Sequence, residues 1–129
     1  MRIIDYDDVP EEWVKRTDME VGQWSRHLVG AAITATPALA IDFARFPPGF
    51  EHHLHRHPHA DQLIVALDGV AIMTGPDGEA RELRPGQVAL LPRNEWHGAR
   101  NESDTDVTCL VLFPGVGSVA DAGYEESVL

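Results

Sequence analysis

The chain has 129 residues, with 21 acidic and 10 basic side chains, a formal net charge of -11, seven histidines and one cysteine. The length suits one domain with its own core, the lone Cys109 excludes an internal disulfide, and the acidic balance argues against nucleic acid or an anionic membrane surface as partner. No apolar run reaches the roughly 18 residues of a membrane-spanning helix, and Met1 to Asp5 lack the apolar stretch of a signal peptide, so the reading is a cytoplasmic single domain over residues 1–129.

The first 20 residues are polar and acidic, and Val9-Pro10-Glu11-Glu12-Trp13-Val14 places a proline and two acids as if to open a short helix. From Gly22 the texture becomes short apolar runs between turn residues. Residues 33–46 read as one or two strands broken near Pro37, and residues 62–67 as a strand closed by the turn pair Asp68-Gly69. A return strand over 70–74, a short polar strand over 79–83, an apolar strand over 87–91 and a final strand over 107–113 follow, each bounded by Gly, Pro or Asn. A small-residue acidic tail runs on to Leu129. Short strands with closely spaced turn signals predict an all-β sandwich or barrel.

Five of the seven histidines lie between residues 52 and 59, in Glu51-His52-His53-Leu54-His55-Arg56-His57-Pro58-His59. Alternate residues of a strand share a face, so His53, His55 and His57 are expected to point one way and His52 and Leu54 the other. Two imidazoles on one face can close on a metal ion, with further ligands from Gln62, Asp61, Glu51 or the isolated His97. A histidine-rich tract can also bind metal adventitiously at a loop. His27 and His52 are read as surface or satisfied core residues, and His59, after Pro58, as a residue at the entrance.

Two spaced motifs resemble those of the cupin family. The first reads Gly49, five residues, His55-Arg56-His57, four residues, Gln62, six residues, Gly69. The second reads Gly86, five residues, Pro92-Arg93-Asn94, two residues, His97, three residues, Asn101. The resemblance covers residues 49–69 and 86–101 tightly and the flanking strands loosely. It departs from the family pattern twice. Asn94 stands where Gly is usual, a mild change because Asn tolerates a left-handed turn. Gln62 stands where Glu is usual, as in some small cupins that resemble bacterial hydroxynitrile lyases.

The resemblance implies a jelly-roll β-barrel holding one divalent transition metal (Fe, Mn, Zn, Ni or Cu) on His55, His57, Gln62 and His97. Three imidazoles and an amide leave the ion's charge uncompensated, which strengthens it as a Lewis acid and favours an anionic ligand. The ligand set lacks the carboxylate of the facial triad of Fe(II) oxygenases. The resemblance further implies an enzyme acting on a small keto, enol or carboxylate metabolite. Oxygenase or dioxygenase chemistry is the commonest outcome in such cupins, lyase, isomerase or cyclase chemistry is the alternative, and a non-catalytic small-molecule or metal-binding cupin is a third reading. It also implies a homodimer, with the extension 1–30 as the candidate interface.

Strand parity extends the expected pocket. Ile64 and Ala66 should point inward with Gln62, and Ala99 and Asn101 with His97, with Glu95 near the rim. His53 is the candidate acid/base. Phe43, Phe46, Phe50 and Met73 could wall the cavity; Trp96 points away from His97, Arg45, Arg56, Arg93 and Arg100 are surface charges, and Cys109 is an inert small hydrophobe.

Overall fold

The computed structural model describes residues 1–127; the last two residues of the expected domain, 128 and 129, lie outside the described residues. Eleven strands run in chain order: β1 (Glu12–Val14), β2 (Gln23–Val29), β3 (Leu39–Phe46), β4 (Glu51–Arg56), β5 (Gln62–Asp68), β6 (Ala71–Thr74), β7 (Ala80–Leu83), β8 (Val88–Leu91), β9 (His97–Arg100), β10 (Val107–Pro114) and β11 (Glu125–Glu126). They form two antiparallel sheets, ordered β1-β2-β3-β10-β5-β8 and β11-β4-β9-β6-β7. This is the expected jelly roll, built as two facing sheets.

The two-residue period of burial explains why these segments are strands. On β10, Val107, Cys109, Val111 and Phe113 are buried while Thr108, Leu110 and Leu112 are partly exposed. On β5, Gln62, Ile64 and Ala66 are buried as parity required, and on β9 and beyond so are His97, Ala99 and Asn101. The core pairs large rings with small residues: Phe46 stacks on Phe50 at 4.1 Å between ring centroids, while Ala40, Ala44, Ala66 and Ala99 leave room between the sheets. Asn101, just past β9, ties the end of β3 to the loop before β10, donating from its amide to the carbonyls of Phe46 (2.9 Å) and Thr105 (2.8 Å). Asn94 adopts φ 71, the left-handed turn that its place in the second motif demands.

Two local expectations are corrected. The helix expected after Val9 is strand β1, because Trp13 pairs with Trp24 across the sheet, their rings 5.1 Å apart, and that pairing outweighs the local helix-start signal. A single 3-10 turn precedes it at Tyr6–Asp8, capped by the Asp5 carboxylate. Of residues 33–46, Leu39–Phe46 alone forms a strand; Ala31–Thr34 is one helical turn (α1), ended by Ala35 in the left-handed region. The acidic tail is ordered as far as described: a 3-10 turn at Ala120–Ala122 leads into β11, which pairs with β4 through Glu125↔Arg56 and Glu126↔His55.

Residues 1–30 fold back on their own chain. Tyr6 stacks on Phe43 at 4.3 Å, and β1 forms one edge of the larger sheet. Exposed apolar side chains lie both in this segment (Ile3, Trp13) and on β5 and β8 (Leu67, Val88, Leu90). Among the described residues no helix is long and apolar enough to cross a membrane.

Candidate metal centre

β4 carries His55, the residue just past its end is His57, and β9 opens with His97, directly opposite His55 in the register. All three are buried, and one ring nitrogen of each lies within 4.8 Å of the other two. The second nitrogen of each ring meets a backbone carbonyl: His55 Nδ1 donates to the His53 carbonyl at 2.8 Å, His57 Nδ1 to Gly123 at 2.7 Å, and His97 Nδ1 to Glu95 at 3.0 Å. A carbonyl can only accept, so these contacts place the proton on Nδ1 and leave Nε2 as the lone-pair nitrogen. Gln62, at the start of β5, is buried beside the same cavity. Its Oε1 and the Nε2 of His97 are buried without a hydrogen-bond partner among the described residues. Two orphaned acceptors in one cavity are the arrangement a cation satisfies.

Burial sets the charge of the donors. Desolvation, with neighbouring imidazoles adding to it, pushes the His55 pKa far down; desolvation holds His97 at about 4 and lowers His57 as well. All three rings are therefore neutral at pH 7, the state in which imidazole binds metal.

The histidine run does not alternate as parity predicts. The β4–β9 register pairs His52 with Ala99 but His55 with His97, so β4 holds one extra residue, a β-bulge. The bulge turns His52 inward, with its ring stacked on His55 at 3.7 Å, and turns His53 out. The side chain of His53 is 48% exposed against 11% for His52, and His53 Nε2 meets Glu20 at 2.9 Å on the surface. His53, the expected acid/base, is thus corrected to an outer-face residue, and His52, read as facing away, lines the cavity.

The other ligand candidates lie elsewhere. Asp61 accepts from the Arg93 backbone at 2.7 Å, and Glu51 lies 3.6 Å from His53. His59 donates its backbone N–H to Ala122 and is not a cavity wall. His27 sits at the far end of the cavity, 2.9 Å from both Asp42 and Glu12; the Asp42 hydrogen bond, reinforced by Glu12 and opposed by burial, raises its pKa to about 9.

The cavity encloses about 140 Å³ between the sheets. Phe46, Phe50 and Met73 line it as expected, but Phe43 lies on the opposite face of β3 against Tyr6. Arg45, Arg56 and Arg100 are engaged by the carboxylates of Glu11, Glu125 and Glu102. Trp96 lies under the Arg56 guanidinium, and Glu95 and Trp96 border an outer groove along β7 and β8 that shares Met73 and His97 with the cavity. Cys109 is buried, with burial pushing its thiol pKa up to about 12.

Two cavity residues carry no motif signal. Tyr124, from the tail, donates its hydroxyl to Asp18 Oδ2 and lies 2.8 Å from His52 Nε2. Burial and the Asp18 carboxylate push its pKa well above the usual phenol range, so it stays a neutral donor. Arg16, from the loop after β1, holds its guanidinium 4.4 Å from the centre of the Tyr124 ring. Sequence parity could reach neither, because both come from segments outside the motif strands.

Several known proteins resemble this chain. Protein SchB of Streptomyces halstedii is 26% identical over 130 residues, covering 98% of this chain and 86% of that protein. The polyketide cyclase RemF from Streptomyces resistomycificus superposes with a TM-score of 0.79 at 23% identity, over 92% of this chain and 85% of that one. A predicted oxalate decarboxylase from Thermotoga maritima gives 0.79 at 18% identity, over 89% and 100%. The family model described as a cupin domain matches residues 42–113, more than half of the 129 and inclusive of every histidine at the centre. The chain belongs to the cupin family.

Proposed function

We propose that this cupin is a metal-dependent enzyme that performs Lewis-acid chemistry of the lyase, isomerase or cyclase type on a small keto, enol or carboxylate metabolite. The observation that carries the reading is the donor set: three buried neutral imidazoles with their Nδ1 atoms fixed by carbonyls, and two orphaned acceptors, His97 Nε2 and Gln62 Oε1, in the same cavity. Such a set fits Zn, Cu, Ni or Fe, and an ion there would polarise a ligand oxygen.

The protein's own groups complete the site. His55, His57, His97 and Gln62 would hold the ion without cancelling its charge. The neutral Tyr124 hydroxyl and His52 present a hydrogen-bonding edge beside His55, and Phe50, Ile64, Val111 and Phe113 keep the remaining walls dry. Among the described residues no carboxylate takes the place of Gln62; Asp18, grouped with His52 and His55, meets Tyr124 through Oδ2 and lies 3.3 Å from His52 through Oδ1. That neutrality favours carbonyl polarisation over oxygen activation. The name polyketide cyclase carried by RemF agrees with it, since ring closure at a polarised carbonyl consumes no oxidant.

The test is turnover of a panel of enolisable keto compounds by zinc-loaded protein with and without O2. Retained turnover under nitrogen is expected. Consumption of O2 in step with substrate would replace this reading with the oxygenase one, and tight binding without turnover would replace it with a non-catalytic binder.

A further inference from the structure

Arg16 is the half-buried arginine of the cavity, and its guanidinium has no acceptor among the described residues. Other arginines with side-chain contacts meet oxygen: Arg26 and Arg45 meet Glu11, Arg56 meets Glu125, Arg84 meets Glu82 and Arg100 meets Glu102. Arg2, Arg81 and Arg93 are exposed to water. Arg16 alone combines partial burial, a place in the cavity wall and unpaired N–H donors. The Tyr124 ring beneath it engages the positive charge but accepts none of the donors that match a carboxylate in-plane.

The position is fixed by the fold. The Met19 N–H donates to the Arg16 carbonyl at 3.1 Å, the Arg16 N–H meets Met19 Sδ at 3.4 Å, and Met19 is in turn bridged to His52 on β4. The loop that presents Arg16 is therefore tied to the strand that carries His55. Its guanidinium lies over the Tyr124 ring, and the Tyr124 hydroxyl is 2.8 Å from His52 Nε2, so the charge stands beside the donor centre. Asp18, two residues on, does not neutralise it: no ion pair joins them, and the Asp18 carboxylate is held by Tyr124 and lies 3.3 Å from His52.

We propose that Arg16 is the carboxylate-binding residue of this cavity, and that the substrate is a small organic acid whose carboxylate is gripped by the Arg16 guanidinium while its carbonyl-bearing, otherwise apolar body lies between Met19, Ile64 and Val111. The proposal rests on the reading of the cavity as the reaction site. A volume of about 140 Å³ limits the buried body to a small molecule, well below the roughly 300 Å³ at which drug-sized pockets begin. The acidic chain ends, -4 over residues 1–20 and -6 over 102–129, would repel such an anion, so a local cation must hold it.

Calorimetric titration of the cobalt-loaded and the metal-free protein with 2-ketobutyrate and with its uncharged methyl ester tests this, alongside metal content. Arg16→Gln is expected to keep the wild-type metal content, weaken 2-ketobutyrate by about ten- to a hundredfold, and leave the ester within about threefold. Arg16→Lys, which keeps the charge and loses the planar fork, is expected to fall between. Unchanged 2-ketobutyrate affinity in Arg16→Gln, equal weakening of acid and ester, or no binding of the acid to wild type would each overturn the assignment. Failure of wild type to take up metal would sink the metal reading instead, and the acid-against-ester difference on metal-free protein would still decide on Arg16.

Discussion

The motif strands and the chain ends meet in one cavity and bring opposite things to it. Residues 49–101 supply the four neutral donors, each fixed by strand register or a backbone carbonyl. Residues 1–20 and 114–127 supply a cation, Arg16, a neutral phenol, Tyr124, and the Gly123 carbonyl that seats His57. Residues 21–101 carry eight acids and seven bases, a net of -1, so -10 of the -11 lies in residues 1–20 and 102–129. Yet Arg16, the one unpaired cation of the cavity among the described residues, also comes from an acidic end. The strands decide what the protein can hold, and the loops at its ends decide what may approach it, the division expected when function is mounted on loops over a rigid scaffold.

The sharpest way to break that division is His97→Ala against Tyr124→Phe. Elemental analysis of untagged protein should find close to one metal ion per chain in wild type, less than about a tenth in His97→Ala, and no change in Tyr124→Phe. Equal loss in both variants would mean that the ends, too, hold the metal.

Gly123 is where an end reaches into the donor set. Its φ is 77, and a Cβ there would lie 2.8 Å from Pro58 Cγ and 3.0 Å from His59 Cδ2. Gly123→Ala should therefore move the carbonyl that fixes the His57 ring. We expect metal affinity to fall about 10- to 100-fold, the usual cost of losing a partner behind a ligating histidine, read by competition with a chelator. A variant that binds metal like wild type would restrict the donor set to the motif strands.

Gln62→Glu probes the strands alone. A carboxylate would offset part of the ion's charge, so affinity for Mn2+ and Fe2+ should rise by about tenfold, while turnover that depends on an uncompensated Lewis acid should fall. In metal-free protein the same change buries an unpaired carboxylate and should lower the melting temperature. Higher affinity with unchanged turnover would remove the argument from neutrality.

Much of the strand region was legible in the sequence. Parity about Gln62 and His97 placed Ile64, Ala66, Ala99 and Asn101 inside, because β5 holds no extra residue between Gln62 and Ala66 and the bulge opposite β9 lies on β4. The same rule failed at His52 and His53, since a bulge is a property of two strands in register and leaves no mark in one. The start of β1 was misread for a related reason: Pro10 and two acids are a local helix signal, and the Trp13–Trp24 pairing that overrides it is not local. Arg16 and Tyr124 stayed invisible because only the fold brings residues 16 and 124 together.

The boundary between end and body gives the smallest effect and a signed pH dependence. His27 on β2 bridges Glu12 on β1 to Asp42 on β3. Its pKa is raised from 6.5 to about 9, so the folded state binds the proton more tightly than the unfolded chain. The stabilisation is then fully present below about pH 6.5, declines as pH rises, and is gone once pH passes about 9. The ring is 42% exposed, so the gain is discounted for solvent screening. His27→Gln should cost about 1 kcal/mol at pH 6, and the difference from wild type in urea unfolding should close by pH 10. A constant difference across that range would mean that His27 contributes by packing and not through its charge.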